Sequence, residues 1–158
     1  MENGELAVLV EKLKSSSAPA RYAAANKLGK LGDKAAVLHL IDALHDEDEK
    51  VGDNVIFALG ELGDLRAIPH LIKLLKSSKS ERLRKSAAKA LGMMHSETSV
   101  DALIGALKDP DFKVRKSAAR SLGQIGDKKA VPALMEAQKD PDYTVVKYVD
   151  DALDRIQS

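Results

Sequence analysis

An internal repeat constrains this chain more than any other feature of its sequence. Four similar segments follow one another at nearly constant intervals: residues 28–33 (LGKLGD), 59–64 (LGELGD), 91–96 (LGMMHS) and 122–127 (LGQIGD). Their first residues lie 31, 32 and 31 positions apart, and one extra residue in the loop at 77–80 explains the longer interval. A fixed period of this length is typical of repeat folds in which neighbouring units stack and bury a continuous core.

Each repeat has the sequence pattern of two helices joined by a turn. Alanines precede three of the four segments, and residues 55–58 (VIFA) precede the second; an apolar run such as residues 37–41 (VLHLI) follows each segment. In the fourth repeat, apolar residues recur at intervals of four, four and three, at Val114, Ala118, Leu122 and Ile125. This spacing forms one buried stripe on a helix. We therefore predict an all-α fold, an α-solenoid of about five helix-turn-helix repeats with ten helices.

Glycine, aspartate and proline mark the turns. A glycine stands just past three of the small-residue helices and an aspartate follows it, as Gly32-Asp33, Gly63-Asp64 and Gly126-Asp127. Glycine accepts the left-handed backbone that ends a helix, and aspartate caps the start of the next one. Pro69 and Pro132 then fall in the first turn of a helix, where the missing N–H of proline is not needed.

This phasing divides the chain into a single domain of five repeats, at approximately residues 1–33, 34–64, 65–96, 97–127 and 128–158. The first helix of each repeat is termed outer and the second inner. The outer helices are predicted to begin near Glu5, Lys34, Leu65, Thr98 and Lys128, and the inner helices near Ala18, Glu49, Glu81, Asp111 and Asp142. The last inner helix carries Asp150, Asp151 and Asp154, a polar end of the kind that keeps a solenoid soluble.

The most regular copy, residues 114–134 (VRKSAARSLGQIGDKKAVPAL), resembles the short HEAT-like repeats of the phycobilisome lyase (PBS lyase) type. The resemblance covers about the whole chain. It implies that the inner helices line a concave face and that the outer helices form the convex back. Proteins of this family include bilin lyase subunits, deoxyhypusine hydroxylase and scaffolds without chemistry. Function must therefore be inferred from this chain's own surface.

The residues that would carry chemistry are missing from the sequence. No cysteine is present, which removes disulfides, thiolate metal ligands and thiol nucleophiles. The four histidines lack the neighbouring glutamate of the His-Glu pairs that hold iron in deoxyhypusine hydroxylase-like enzymes. No glycine-rich phosphate loop, HExxH motif or nucleophile elbow occurs. We therefore expect a protein that is not an enzyme, with no catalytic residue, no metal and no cofactor.

Net charge and hydropathy indicate the cellular environment. Lys and Arg number 25 against 24 Asp and Glu, so the net charge of +1 gives no overall attraction to nucleic acid or anionic lipid. The N-terminal residues are acidic, unlike a secretory signal, and no apolar run approaches the roughly 18 residues of a membrane span. We expect a cytoplasmic protein without a membrane partner, and a monomer rather than an obligate oligomer.

Three arginines occupy one recurring position of the inner helix: Arg21, Arg84 and Arg115. We predict that they bond aspartates of the inter-helix turns, such as Asp46 or Asp109. Gly52 and Val146 stand at this position in the other two repeats, so the ladder of ion pairs is not expected to be continuous.

The inner helices carry the candidate binding site. At positions expected to face the concave groove we select as partner-binding Tyr22, Asn26, Asp53, Phe57, Arg82, Lys85, Lys89, Met93, Lys113, Lys116, Arg120, Gln124 and Lys147. The basic column is the subset formed by Arg82, Lys85, Lys89, Lys113, Lys116 and Arg120. Residues 78–140 carry 13 basic and 8 acidic groups, so the neutral total conceals a local positive charge. A basic stripe in a concave groove attracts an acidic partner.

Three functions are consistent with these residues. The first is a non-enzymatic protein-protein interaction scaffold that holds an acidic or amphipathic partner segment in its groove. In this scaffold Tyr22 and Phe57 would be apolar anchors, because aromatic residues are enriched at interfaces; burial of Phe57 between repeats is the alternative to its anchoring role. The second is nucleic-acid binding through the basic column, which would be strongly salt-dependent. The third is a bilin-lyase-like subunit that acts on a bound pigment.

Overall fold

Ten α-helices make up the part of the chain that this computed structural model describes, residues 2–158. In chain order they are α1 (Glu2–Lys12), α2 (Ala18–Leu31), α3 (Val37–Asp42), α4 (Glu49–Leu62), α5 (Ile68–Ser77), α6 (Glu81–Met93), α7 (Val100–Ala106), α8 (Phe112–Ile125), α9 (Val131–Ala137) and α10 (Tyr143–Gln157). Short 3₁₀ turns directly precede α3, α5, α7 and α9, another (Ala43–His45) follows α3, and residues 2–158 contain no β-strand. The predicted all-α repeat fold with ten helices is confirmed.

The inner helices begin where the turn residues predict. α2, α4 and α6 start at the predicted residues, and α8 and α10 start one residue later than predicted. The reason is that Asp111 and Asp142 stand outside these two helices as N-caps, each side chain accepting from two backbone N–H groups of the first turn. The predicted caps at the other turns are also formed, with side-chain acceptors at Asp33, Asp64 and Asp127. α1 begins at Glu2, ahead of the predicted Glu5.

A left-handed residue follows the inner helix in four repeats. Gly32, Gly63 and Gly126 have φ between +61° and +77°, as the sequence predicts for helix C-caps. In the third repeat His95 takes the equivalent position with φ of +48°. Such a conformation is uncommon for a residue with a Cβ atom. The His95 ring contacts α8, with its Nδ1 atom 3.0 Å from the carbonyl oxygen of Gln124.

The chain divides into two compact units, residues 1–70 and residues 71–158, and the division falls within α5. In the first unit the inner helices α2 and α4 pack side by side, α1 packs on α2, and α3 packs on α4. In the second unit α8 contacts both α6 and α10, while α7 packs on α8 and α9 packs on α10. In both units an outer helix therefore packs against the inner helix that follows it.

Aliphatic side chains fill the core of each unit, as expected for a chain with 3% aromatic residues. The largest side chains that are fully buried include Leu28, Leu40, Leu44, Ile56 and Leu59 in the first unit and Leu71, Leu91, Leu103, Leu122 and Leu134 in the second. The side chains of leucine and isoleucine have no polar atoms to satisfy, so these residues hold the helices together by apolar burial and packing.

Small residues allow neighbouring inner helices to approach closely. A Cβ atom at Gly29 of α2 would lie 3.0 Å from the Cα atom of Ala58 in α4. In the second unit, a Cβ atom at Gly123 of α8 would lie 2.9 Å from the Cα atom of Ala152 in α10. The close contact brings the exposed side chains of adjacent inner helices next to each other, and it thereby positions the candidate site.

Candidate partner-binding site

The basic column lies on α6 and α8 of the second unit, two inner helices that pack against each other. The Ser121 hydroxyl of α8 donates to the Ala88 carbonyl oxygen of α6 at 2.7 Å and ties the helices together. All six cations reach solvent. Lys89, Lys113 and Arg120 are exposed, and Arg82, Lys85 and Lys116 are half-buried. Arg82 and Lys89 also interact with other groups of the chain. The structure thus brings six cations onto two adjacent helices.

Two aromatic rings lie beside lysines of the basic column. The Lys113 ammonium is 5.9 Å from the centroid of the Phe112 ring, and the Lys116 ammonium is 5.7 Å from that of Tyr148 on α10. A cation at this distance over a ring is attracted by the negative potential of the ring face. The contact with Tyr148 joins the basic column to the next inner helix.

A pocket of about 240 Å³ opens between α8 and α10 within the second unit. Its lining comprises Arg120, Gly123, Gln124, Tyr148, Asp151, Ala152 and Arg155. Gly123 and Ala152 are buried where the two helices meet, so the accessible lining is polar or amphipathic. Arg120, Asp151 and Arg155 are exposed, whereas Gln124 and Tyr148 are half-buried.

Part of this pocket was predicted from the sequence and part was not. Arg120 and Gln124 are predicted site residues, whereas Tyr148, Asp151 and Arg155 were not selected. Asp151 and Arg155 occupy the repeat positions of Arg120 and Gln124, one repeat later. Tyr148 stands where the two preceding repeats have serine, at Ser86 and Ser117. This replacement of a small residue by a large aromatic one is the sequence signal that could have identified it.

Two other predicted residues of the second unit lie outside this pocket. Met93, at the C-terminal end of α6, is 37% exposed. Lys147 is exposed on α10, one residue before Tyr148. Neither side chain belongs to the lining of the pocket.

The first unit carries the predicted aromatic residues on the inner helices α2 and α4. Tyr22 is 43% exposed and Phe57 is 49% exposed, so Phe57 is not buried between repeats. The Asn54 side-chain amide donates to the Tyr22 carbonyl oxygen at 2.8 Å and links the two helices. Asn26 on α2 and Asp53 on α4 are half-buried, and Asp53 interacts with other groups of the chain.

The three arginines of the recurring inner-helix position form the predicted ion pairs. Arg84 donates from Nε and Nη2 to the two carboxylate oxygens of Asp109 at 2.8 and 3.0 Å. The same two-point geometry joins the other pairs, Arg21–Asp46 and Arg115–Asp140. The hydrogen bond from the guanidinium lowers the pKa of Asp46 below its ordinary value. Because Gly52 and Val146 interrupt the series, the ladder is discontinuous, as predicted.

The described residues offer no metal centre. Within residues 2–158, no group of three His, Asp or Glu side chains is arranged to hold a metal ion. Over the same range, every helix is too short or too polar to cross a membrane.

Repeated pairs of helices with small-residue contacts between inner helices define an α-solenoid repeat protein with a scaffold fold. The family model described as HEAT repeats matches residues 6–92 and 68–153. The chain therefore belongs to the HEAT-repeat family. No curated protein matches the sequence.

Solved structures give the same fold. The chain is similar to a chain in the complex of CpcE and CpcF of phycocyanin lyase from Nostoc sp. PCC7120, with 29% sequence identity and a TM-score of 0.84. That match covers 97% of this chain and 65% of the other, so this chain spans less than two thirds of the length of that lyase chain. The predicted resemblance to repeats of the phycobilisome lyase type is confirmed.

Two engineered repeat structures are also similar. One, solved as an engineered protein, is 25% identical with a TM-score of 0.68, covering 98% of this chain and 80% of the other. A designed armadillo repeat protein in complex with the peptide (KR)4 is 23% identical with a TM-score of 0.73, covering 98% and 83%. At 23% identity, the likeness to the armadillo design concerns the fold alone.

Proposed function

We propose that this protein is a non-enzymatic scaffold that binds an acidic or amphipathic segment of a protein partner through the basic column. The observation that carries the proposal is the presence of six solvent-accessible cations on the adjacent helices α6 and α8. A local cluster of one sign concentrates the electrostatic potential and attracts an oppositely charged partner, even where the total charge is near zero. HEAT and armadillo repeat folds are typical scaffolds for protein interaction, which agrees with this role.

The aromatic residues of the first unit extend the proposal to amphipathic partners. Tyr22 and Phe57 expose large apolar surfaces on α2 and α4. Exposed aromatic side chains offer much contact area with few rotatable bonds, and they are enriched among the residues that dominate binding energy. We therefore assign them contacts with apolar side chains of the partner. The same proposal includes a cytoplasmic location and a monomeric state.

One comparison favours a second candidate function. The similarity to the complex of CpcE and CpcF of phycocyanin lyase supports a lyase-like subunit that acts on a bound pigment. A pigment-binding protein would absorb visible light after purification from its source cells, and the absorbance would elute with the protein in gel filtration. Such co-elution would favour the lyase-like subunit over the scaffold without chemistry.

A charge-reversal experiment tests the scaffold. The Lys85→Glu/Lys113→Glu double variant reverses two charges of the basic column, and Lys108→Glu/Lys128→Glu makes the same change in net charge at exposed lysines outside it. Binding of a labelled acidic amphipathic peptide with blocked ends is measured by fluorescence anisotropy. We expect the first variant to weaken binding about tenfold or more, and the second to bind nearly as the wild type does.

The same variants separate the scaffold from a nucleic-acid-binding protein. If equal weakening occurs in both variants, net charge and not the basic column controls binding, and the proposal fails. A different result would assign the basic column to nucleic acid. In that case the wild type binds a random DNA duplex at low salt, Lys85→Glu/Lys113→Glu does not bind the duplex, and neither protein binds the acidic peptide. That outcome would be accompanied by a steep salt dependence, because phosphate contacts release counterions.

A further inference from the structure

The arginines of the chain differ in whether they have a partner. Four of them form an ion pair with an aspartate: Arg21, Arg66, Arg84 and Arg115. Arg82 interacts with other groups of the chain. Among the described residues, the side chains of Arg120 and Arg155 form neither an ion pair nor a hydrogen bond, and both residues are exposed. These two arginines line the same pocket, between α8 and α10.

Their convergence follows from the packing of α8 on α10. A Cβ atom at Gly123 would lie 2.9 Å from the Cα of Ala152 and 3.6 Å from the Cδ of Arg155. The absence of a side chain at Gly123 thus lets the Arg155 stem lie close to α8, in the pocket that Arg120 also lines. Tyr148 and Gln124 add a phenol and an amide, groups that donate hydrogen bonds.

We infer that this pocket binds a single carboxylate group of the acidic partner segment between the guanidinium groups of Arg120 and Arg155, an inference that rests on the proposed function. A guanidinium presents a planar fork of N–H donors that matches the two oxygens of a carboxylate. Two such groups without partners in one pocket supply donors for both oxygens. The Lys116 ammonium, 5.7 Å from the Tyr148 ring centroid, adds positive potential at the edge of the site.

The charge of the lining favours a monoanion. Arg120 and Arg155 contribute two positive charges and Asp151 contributes one negative charge, and Asp151 forms no ion pair with either arginine in the described part of the chain. A carboxylate matches the remaining single positive charge of the lining, and Asp151 repels it less strongly than it would repel a phosphate dianion. The carboxylate could belong to a glutamate or aspartate side chain or to a chain terminus, and the experiment separates these sources.

The test is an NMR titration with small blocked amino acids. N-acetylglutamate N-methylamide carries only a side-chain carboxylate, N-acetylglycine carries only a terminal one, and N-acetylglutamine N-methylamide is neutral. We expect saturable shifts of the backbone amides of Gly123, Gln124 and Ala152 with at least one carboxylate and not with the neutral compound. Arg120→Gln and Arg155→Gln should each weaken this binding about tenfold, as expected for loss of a charged hydrogen bond. Lys128→Gln, outside the pocket, should leave it unchanged.

Specific outcomes overturn the inference. Equal shifts with the neutral compound, or unchanged binding in Arg155→Gln, would show that the guanidinium pair does not recognise a carboxylate. If a blocked phosphoserine binds more tightly than either carboxylate, the pocket prefers a dianion and the inference of a carboxylate site is wrong. If the acidic peptide still depends on Lys85 and Lys113 while no carboxylate shifts the pocket amides, the inference fails and the proposed function stands. If carboxylates bind the pocket but Lys85→Glu/Lys113→Glu leaves the affinity for the peptide unchanged, the proposed function fails instead.

Discussion

At the scale of single residues, burial separates two kinds of arginine in this chain. Arg84 belongs to a largely buried ion pair, in which its side chain is 14% exposed and that of Asp109 is 9% exposed. Its Nη1 group also donates to the Ser78 carbonyl oxygen. Arg120 is exposed and lines a pocket. The sequence predicts the first kind because arginine and turn aspartate recur 25 positions apart in three repeats. It predicts the pocket only in part, because Tyr148 stands where the two preceding repeats have serine.

The buried pair should matter more to stability than an exposed one. Asp109→Ala removes the two carboxylate oxygens that accept from Arg84. We expect it to lower the free energy of unfolding by about 2 kcal/mol, because a poorly solvated guanidinium loses its charged partner. Asp101→Ala removes a carboxylate whose pair with Lys129 is mostly exposed, and its stability should stay close to that of the wild type. Urea denaturation followed by circular dichroism measures both. Equal losses would contradict the assignment of Arg84–Asp109 as a structural pair.

At the scale of helices, the effect of a glycine depends on whether another helix packs against it. The helix starts, the left-handed ends and the aspartate caps are local features, and the sequence predicts them because each depends on a few adjacent residues. The approach of α8 to α10 is not local, since it depends on Gly123 meeting Ala152 across 29 positions of sequence. The repeat pattern alone gives no distance for that contact. Gly105 in α7 contrasts with it, because a Cβ atom there would meet no atom within 4 Å.

Two glycine-to-alanine substitutions should therefore have opposite effects. Gly123→Ala forces a methyl group against the backbone of α10 and is expected to destabilise the protein by about 2 kcal/mol. Gly105→Ala meets no such obstacle and should stabilise it by about 0.5–1 kcal/mol, because alanine loses less backbone entropy in a helix. Thermal and urea unfolding of both variants against the wild type measures the difference. Stabilisation by Gly123→Ala would mean that the two helices are not in close contact.

At the scale of the whole molecule, repetition explains why the sequence predicts the fold more completely than it predicts the pocket. Five similar helix pairs satisfy the same packing rules, so one clear copy such as residues 114–134 predicts the others. The proposed partner binding depends instead on what differs between copies: the aromatic residues of α2 and α4, the cations of α6 and α8, and Tyr148 of α10. The charge distribution reflects these differences, since residues 78–140 carry 13 basic and 8 acidic groups within a chain of net charge +1.

This uneven charge predicts how salt acts on partner binding. Raising the ionic strength from 0.01 to 0.15 M shortens the Debye length from about 30 Å to about 8 Å, so an approaching acidic peptide no longer senses the basic column from a distance. We expect the association rate constant to fall about tenfold or more over this range while the dissociation rate changes less. Stopped-flow fluorescence with the labelled peptide measures both rates. In Lys85→Glu/Lys113→Glu the salt dependence should largely disappear, whereas in Lys108→Glu/Lys128→Glu it should persist. A salt dependence that is the same in both variants would mean that attraction depends on total charge, and the local column would then have no part in partner capture.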